Sequence, residues 1–310
     1  NQWSQLDVLR DNIQDAFPNI PSHPPSERKS LVLDVSEYFV IDHQGYVLDS
    51  TYPARIGKQD LDPSAVKAGL QDSFLHGPFV DQNTLAIGAS SSNFHDAVTL
   101  MLYLPIKQND KSVGAICARI PNDVLGDLIQ REAGHIYKES GDNYLFMVSS
   151  NFDRNILPGT ALSRSRFEDD TFSHGENLKG GVNTQWGTVK VQQHTEFEIR
   201  FTDPATKELH PGVRETIRNG SNLFVTYPGY SDYRHIPVIG KGVTFQLKGS
   251  PDRWGMMCEG DLEEVYRRRS ISINLMKGFF AATIVPFTLN IGLHSYTQLS
   301  EMLIGTGTFL

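Results

Sequence analysis

Tyr230-Ser-Asp-Tyr-Arg-His-Ile-Pro-Val-Ile-Gly-Lys-Gly242 and Trp254-Gly-Met-Met-Cys-Glu-Gly-Asp-Leu-Glu-Glu-Val265 are the stretches whose reading decides the fold. Arg234 to Phe245 and Trp254 to Glu259 are rich in strand formers and separated by turns, so they predict two strands. Leu262 to Arg268 starts a helix directly after them. Upstream, Asn222 to Pro228 is a further strand, and Pro211 to Asn219 is a short helix. Gly187 to Phe201 alternates Val189, Val191, Phe197, Ile199 and Phe201, the period-two pattern of strands. Tyr144 to Ser149 reads as a buried strand, Asn122 to Tyr137 as a helix with Asn122 as its N-cap, and Asn151 to Gly181 as a long polar loop.

The first half repeats this order of elements. Ser36 to Val47 is strand, turn and strand, with Gly45 supplying the freedom for positive φ. Asp60 to Phe74 is helical, with Pro63 near its start and Val66, Leu70 and Phe74 on one face. Phe79 to Ala89 is a strand and bend. Ala97 to Ile106 and Ser112 to Ile120 are apolar strands joined by a polar turn over Gln108 to Lys111. Before all of these, Trp3, Leu6, Leu9, Ile13 and Phe17 define an amphipathic helix stopped by Pro18, and a proline-rich linker follows. The fold class is therefore α+β: a long N-terminal helix, two successive units of antiparallel sheet and helices, and an apolar C-terminal tail. The boundaries fall at 1–30 for the entry helix and linker, 31–121 and 122–267 for the two modules, and 268–310 for the tail.

Composition narrows the class of function. The chain has 310 residues, a net charge of −8 and 21% charged side chains, which fits a folded chain and excludes wholesale disorder. The acidic balance argues against a nucleic-acid partner. Two cysteines cannot make a disulfide framework. The start at Asn1 reads as a processed chain or a fragment. The tail carries Arg267, Arg268 and Arg269, then the 16-residue apolar run Gly278 to Leu293, and no Lys, Arg, Asp or Glu between Lys277 and Glu301. It reads either as a membrane span weakened by Pro286, Asn290 and His294 or as a helix buried in protein.

The run Asp232-Tyr233-Arg234 to Pro237-Val238 and Gly240 resembles the "DYRG-x-PV-x-G" strand pair of double Cache sensor domains. Trp254 to Val265 resembles the "W-x-L-x-x-E-I-D-x-x-E-A" ending of the same modules. Val40-Ile41-Asp42-His-Gln-Gly45-Tyr-Val47 is similar to their "V-x-D-x-x-G-x-V" hairpin, and Tyr103-Leu-Pro105-Ile106 to Ile116 to the strands that close a module. The resemblance implies a long first helix, two PAS-like modules, and an extracytoplasmic sensing role in a chemoreceptor or sensor kinase. It also implies a small ligand in the first, membrane-distal module, an output domain outside this chain, and a homodimer. The Arg-x-Trp-Tyr and Tyr-x-Asp signature of amino-acid binders is only shadowed, by Tyr52-Pro-Ala-Arg55 and Val80-Asp81. The ligand is thus expected to be a polar metabolite of open identity, with an anionic one among the options.

Within that frame, Arg55, His76, Asp81, His95, Asp96, Thr99 and Tyr103 are the expected pocket residues, offering mixed donors and acceptors around an aromatic wall. Arg164 and Arg166 share a face if extended and suit an anion, or else pair with Glu168, Asp169 and Asp170. Tyr230, Asp232, Tyr233 and Arg234 are read as structural. Cys117 and Cys258 are read as small buried hydrophobes, with Arg119 beside Cys117 the only hint of reactivity. No phosphate-binding or nucleophile-elbow motif occurs, so no cofactor and no enzymatic activity are expected. The alternatives are a metal-dependent hydrolase or transferase using His95-Asp96 or His194-Glu196, and an interaction scaffold without ligand. The resemblance places the sensor region in the periplasm, whereas the arginines before the tail favour the cytoplasmic side.

Overall fold

The computed structural model describes residues 35–87, 97–129, 137, 140–164, 182–184, 187–189, 196–203, 205–224, 228–233 and 235–307. The expected N-terminal helix lies outside them. The chain divides into two units, Asn1–Leu262 and Glu263–Leu310.

The first unit is built on two antiparallel sheets. In the first sheet, β1 (Glu37–Asp42) pairs with β2 (Val47–Ser50) and with β5 (Lys111–Pro121), and β4 (Val98–Gln108) lies between β5 and β3 (Phe74–Val80). The β4–β5 hairpin turns through Asn109 and Asp110 with φ of 50° and 60°. Two successive positive φ angles match the strand twist, and Asn and Asp tolerate them. Helix α1 (Pro63–Gln71) starts where Asp62 Oδ1 accepts from the backbone N–H groups of Ser64 and Ala65 at 2.8 and 2.9 Å. It packs tightly on β4: a Cβ on Gly69 would come within 2.4 Å of Tyr103 Cβ.

Two local expectations are corrected in this region. The helix ends at Gln71, and Phe74 begins β3, paired with Tyr103. Phe74 continues the three- and four-residue spacing of Val66 and Leu70, but extended Asp72 breaks the helix and β4 captures Phe74. After β3, Gln82–Ile87 forms a short helix, α2, where a strand and bend were expected.

Asp123–Ile129 forms α3. The Asn122 carbonyl accepts from Leu125 N, but its amide nitrogen reaches Leu162 O and Glu196 Oε1, so its side chain does not cap the helix. In the second sheet β6 (Asp142–Ser149), β12 (Arg253–Asp261), β11 (Pro237–Phe245) and β10 (Tyr230–Ser231) follow one another, and β9 (Ser221–Phe224) also pairs with β11. Strands β7 (Val182–Thr184) and β8 (Gly187–Val189) pair separately. The strand expected to reach Phe201 is interrupted: 196–198 form a turn, with Phe197 at φ 67°. Helix α4 (Pro211–Asn219) covers this sheet through Val213 and Ile217.

Alternation divides the first sheet into two faces. Tyr38, Val40, Leu100, Leu102, Leu104, Ile116 and Ile120 form one core with Leu145, Met147 and Trp254 of the second sheet and with Leu162. The two sheets therefore share an apolar interior. The opposite face of the first sheet carries Phe39, Ile41, Met101, Tyr103 and Cys117 beneath α1.

The second unit is a single helix. Strand β12 runs without a break into α5 (Leu262–Gly307), 46 residues long, or about 69 Å at 1.5 Å per residue. It starts earlier than the expected tail boundary and passes through Pro286. It is long and apolar enough to cross a membrane. The charge-free Gly278–Ser300 segment corresponds to about 35 Å of helix against a hydrocarbon core of about 30 Å. Its threonine hydroxyls are satisfied within the helix: Thr283 donates to Phe279 O at 2.8 Å, Thr288 to Ile284 O at 2.9 Å and Thr297 to His294 O at 2.9 Å. Internal satisfaction of this kind is what a lipid-facing helix needs.

Candidate functional site

The site lies on the first-sheet face that carries α1, where the apolar packing gives way to charge. Register sets it out row by row. Phe39, Cys117, Tyr103 and Phe74 lie opposite one another across β1, β5, β4 and β3. One step along, Glu37, Arg119, Met101 and His76 form the next row. Thr99, paired with Phe79, follows.

Glu37 is the hub. Arg55 Nη1 donates to both its carboxylate oxygens at 2.8 and 2.7 Å, Arg119 Nε donates at 2.9 Å, and the Ser50 hydroxyl at 2.6 Å. Arg55 stands on a 3-10 turn, Pro53–Arg55, and also holds Asp60 through Nε at 3.1 Å and Nη2 at 2.5 Å. Its guanidinium sits 4.5 Å from the Phe39 ring centre. Arg119 Nη1 donates to Asp81 at 2.5 Å and to the Thr84 hydroxyl at 2.9 Å. Thr99 gives its proton to Ala97 O, so in the 2.6 Å contact with Thr84 the latter is the donor. Asn83 bridges Asp60 and Asp81. Burial works against the charge on Arg55, but the Asp60 bonds and the Glu37 charge outweigh it and raise its pKa. Asp60 is lowered: burial opposes its charge, and the Arg55 bonds prevail. Burying charges at this depth is tolerable only when each is paired and hydrogen-bonded, as here.

Of the residues expected from sequence, Arg55, Asp81 and Thr99 come together in this network. Tyr103 lies in the adjacent row with its hydroxyl buried and unpartnered, and its pKa is pushed up by burial. His76 joins an aromatic cluster instead, stacked on Phe79 at 4.1 Å with Phe152 edge-on at 4.7 Å. Arg164 does not join: its Nε meets Asp123 at 3.4 Å. Arg166, His95, Asp96, His194 and Arg234 lie outside the described residues. Cys258 is exposed, not buried, because it alternates with inward-facing Met257 and Glu259. Tyr230 on β10 and Asp232 and Tyr233 in the turn after it are buried. Among the described residues no group of three or more His, Cys, Asp or Glu side chains is placed to hold a metal. Glu37, Asp60, Thr84 and Arg119 were not expected. The available signal was a charged residue inside an apolar strand run, SEYFVID and AICARI, which burial obliges to find a partner.

No protein-family model matches the chain, and no curated protein matches it in sequence. It has a loose likeness to several solved structures, with TM-scores below 0.5. The solved structures include an extracellular ligand binding receptor from Desulfohalobium retbaense, at 8% identity over 83% of this chain, with a TM-score of 0.48. They also include the ligand-binding domain of the Pseudomonas fluorescens chemoreceptor CtaA in complex with L-leucine, at 11% identity over 85% of this chain and 86% of that one, TM-score 0.46. A third is the sensory domain of the Campylobacter jejuni chemoreceptor Tlp3, at 12% identity over 84% of this chain and 85% of that one, TM-score 0.46. The chain spans 36% of the Desulfohalobium receptor's length.

The second sheet has a buried polar cluster of its own. His210 caps α4 by accepting from Val213 N at its Nδ1, so its proton sits on Nε2 and is donated to the Tyr144 hydroxyl at 3.1 Å. Tyr230 stacks on His210 at 5.5 Å and donates to Glu259. Gly240 and Gly212 leave the room that the Tyr230 hydroxyl fills: a Cβ on either would lie within 2.7 Å of it. The cluster is filled by its own side chains. Two open clefts of about 540 and 660 Å³ lie elsewhere in the unit, and neither is lined by Arg55, Asp81, Thr99 or Arg119.

Burial pulls the pKa of His76 and of His210 from 6.5 to about 4. Both are neutral in the folded chain, whereas the unfolded chain protonates them below about 6.5. Their contribution to stability is complete above that pH and is lost as pH falls towards 4. Stability should therefore drop by up to about 1.4 kcal/mol per pH unit for each histidine over that window. His210→Asn, which keeps a capping oxygen, should remove one histidine's share of the slope in urea titrations run at several pH values. An unchanged slope would count against a buried neutral His210.

Proposed function

We propose that this chain is the ligand-binding sensor region of a membrane-anchored signal-transduction protein, non-enzymatic in itself. The observation that carries the reading is the buried polar row at Glu37, Arg119, Arg55 and Asp81 on one face of an antiparallel sheet, beneath the 52–60 segment and α2. Residues 31–121 form the membrane-distal module, which takes a small polar metabolite. Residues 122–267 form the membrane-proximal module, whose own polar cluster is already filled. Residues 278–300 of α5 anchor the region in the membrane, and an output domain beyond this chain receives the signal, in a homodimer. The binding region faces the periplasm or the cell exterior. Binding drives the response by favouring one of two pre-existing arrangements of the first unit. Such a ligand stabilises the folded chain in proportion to its occupancy. A thermal-shift screen of carboxylates, amides, amines and purines on the 310-residue chain in detergent should find one chemical class that raises the melting temperature. The reading fails if none of these classes does.

A further inference from the structure

Three carboxylates, Glu37, Asp60 and Asp81, are linked on one face through Arg55 and Arg119, and negative charge of this kind calls for cations. In this chain their acceptors are already taken. Glu37 Oε1 holds Ser50 and Arg55, and its Oε2 holds Arg55 and Arg119. Asp60 holds Arg55 through both oxygens, and Asp81 holds Asn83 and Arg119. Three polar atoms on this face are buried without a partner: Arg119 Nη2, the Tyr103 hydroxyl and His76 Nδ1. Arg119 and Tyr103 are of the opposite kind, donors. They sit diagonally across β5 and β4, since Arg119 pairs with Met101 and Tyr103 with Cys117. Arg119 itself is fully buried, whereas Asp60 and Asp81 are 29% and 12% exposed. The fully enclosed side of the cluster therefore presents N–H and O–H donors.

We propose that Arg119 is a built-in cation that sets the specificity of this site: it occupies the place an ammonium ligand would take and, with Tyr103, offers unpartnered donors to a ligand oxygen. This rests on the sensor reading above but can fail separately from it. A ligand ammonium would have to displace a guanidinium already bonded to Glu37, Asp81 and Thr84. A carboxylate or amide oxygen would instead satisfy an orphaned N–H and O–H of the face.

The test uses three probes on one skeleton, propionate, propionamide and propylamine, with the 310-residue chain and its Arg119→Met and Tyr103→Phe variants, read by thermal shift. Wild type should be stabilised by propionate or propionamide and not by propylamine. Tyr103→Phe removes only the unpartnered hydroxyl, so it should keep its own melting temperature while binding the oxygen probe roughly tenfold more weakly. Arg119→Met frees Glu37, Asp81 and Thr84, so it should gain stabilisation by propylamine and by millimolar guanidinium. If Arg119→Met does not fold in buffer, recovery of the folded state with guanidinium is the readout. A wild-type response to propylamine equal to that to propionate overturns the proposal. So does an Arg119→Met chain that neither cation stabilises or recovers. A variant that gains cation binding while wild type answers none of the screened compounds leaves Arg119's role standing and removes the sensor reading.

Discussion

Glu37→Ala is expected to lower the unfolding free energy by about 3–5 kcal/mol, measured by urea denaturation followed by tryptophan fluorescence. The reason is asymmetric burial. Glu37 answers Arg55 and Arg119 together, and all three side chains are almost wholly removed from water. Removing the carboxylate leaves two guanidiniums facing each other across the vacated space, each still partly held by an aspartate at the rim. The cost is that of stranded charge, not of lost attraction, so replacing the set together should be milder. Glu37→Leu with Arg55→Met and Arg119→Met should recover part of the loss, because the enclosed side chains then need no partner and the freed Asp60 and Asp81 reach solvent at the rim. A single-variant loss under about 1 kcal/mol would mean that solvent reaches the network, as in surface pairs.

Trp254→Ala should also cost about 3–5 kcal/mol, and both sheets should lose stability together. Trp254 lies on β12 but is fully buried in the core that joins Leu145 and Met147 to Leu100, Leu102 and Ile116 of the first sheet. A cavity there subtracts contacts from both sheets at once. Backbone hydrogen bonding crosses the same boundary, with Leu75 N donating to Gly249 O at 2.9 Å. Hydrogen exchange on the variant should show equal loss of protection in β4 and in β6. Loss confined to β6, β11 and β12 would show that the sheets are energetically separate modules.

The secondary structure was legible where local chemistry and tertiary demand agree. The β4–β5 hairpin announces itself by two apolar runs around Asn109-Asp110, and Pro211–Asn219 by a proline start and a glycine end. The expectation failed at Phe74, whose spacing satisfies a helix while its packing requires a strand. It failed again at 196–198, where Phe197, in step with Ile199 and Phe201 by alternation, sits in a turn. The site was half legible. Arg55, Asp81 and Thr99 were expected because they fall where the family resemblance implies a pocket lining. Glu37 and Arg119 were not, because each hides in an apolar run and finds its partner 82 residues away. That pairing exists only once β1 and β5 are neighbours in the sheet, and no local pattern encodes it.

The central claim is that ligand recognition belongs to the polar face of the first sheet. It is tested most directly by hydrogen exchange on the 310-residue chain, with and without the compound that raises its melting temperature most. The account predicts added protection concentrated in β1, β5, residues 52–60 and α2, with little change in β9 to β11. Protection centred on the second sheet, around Tyr144, His210 and Tyr230, would contradict it.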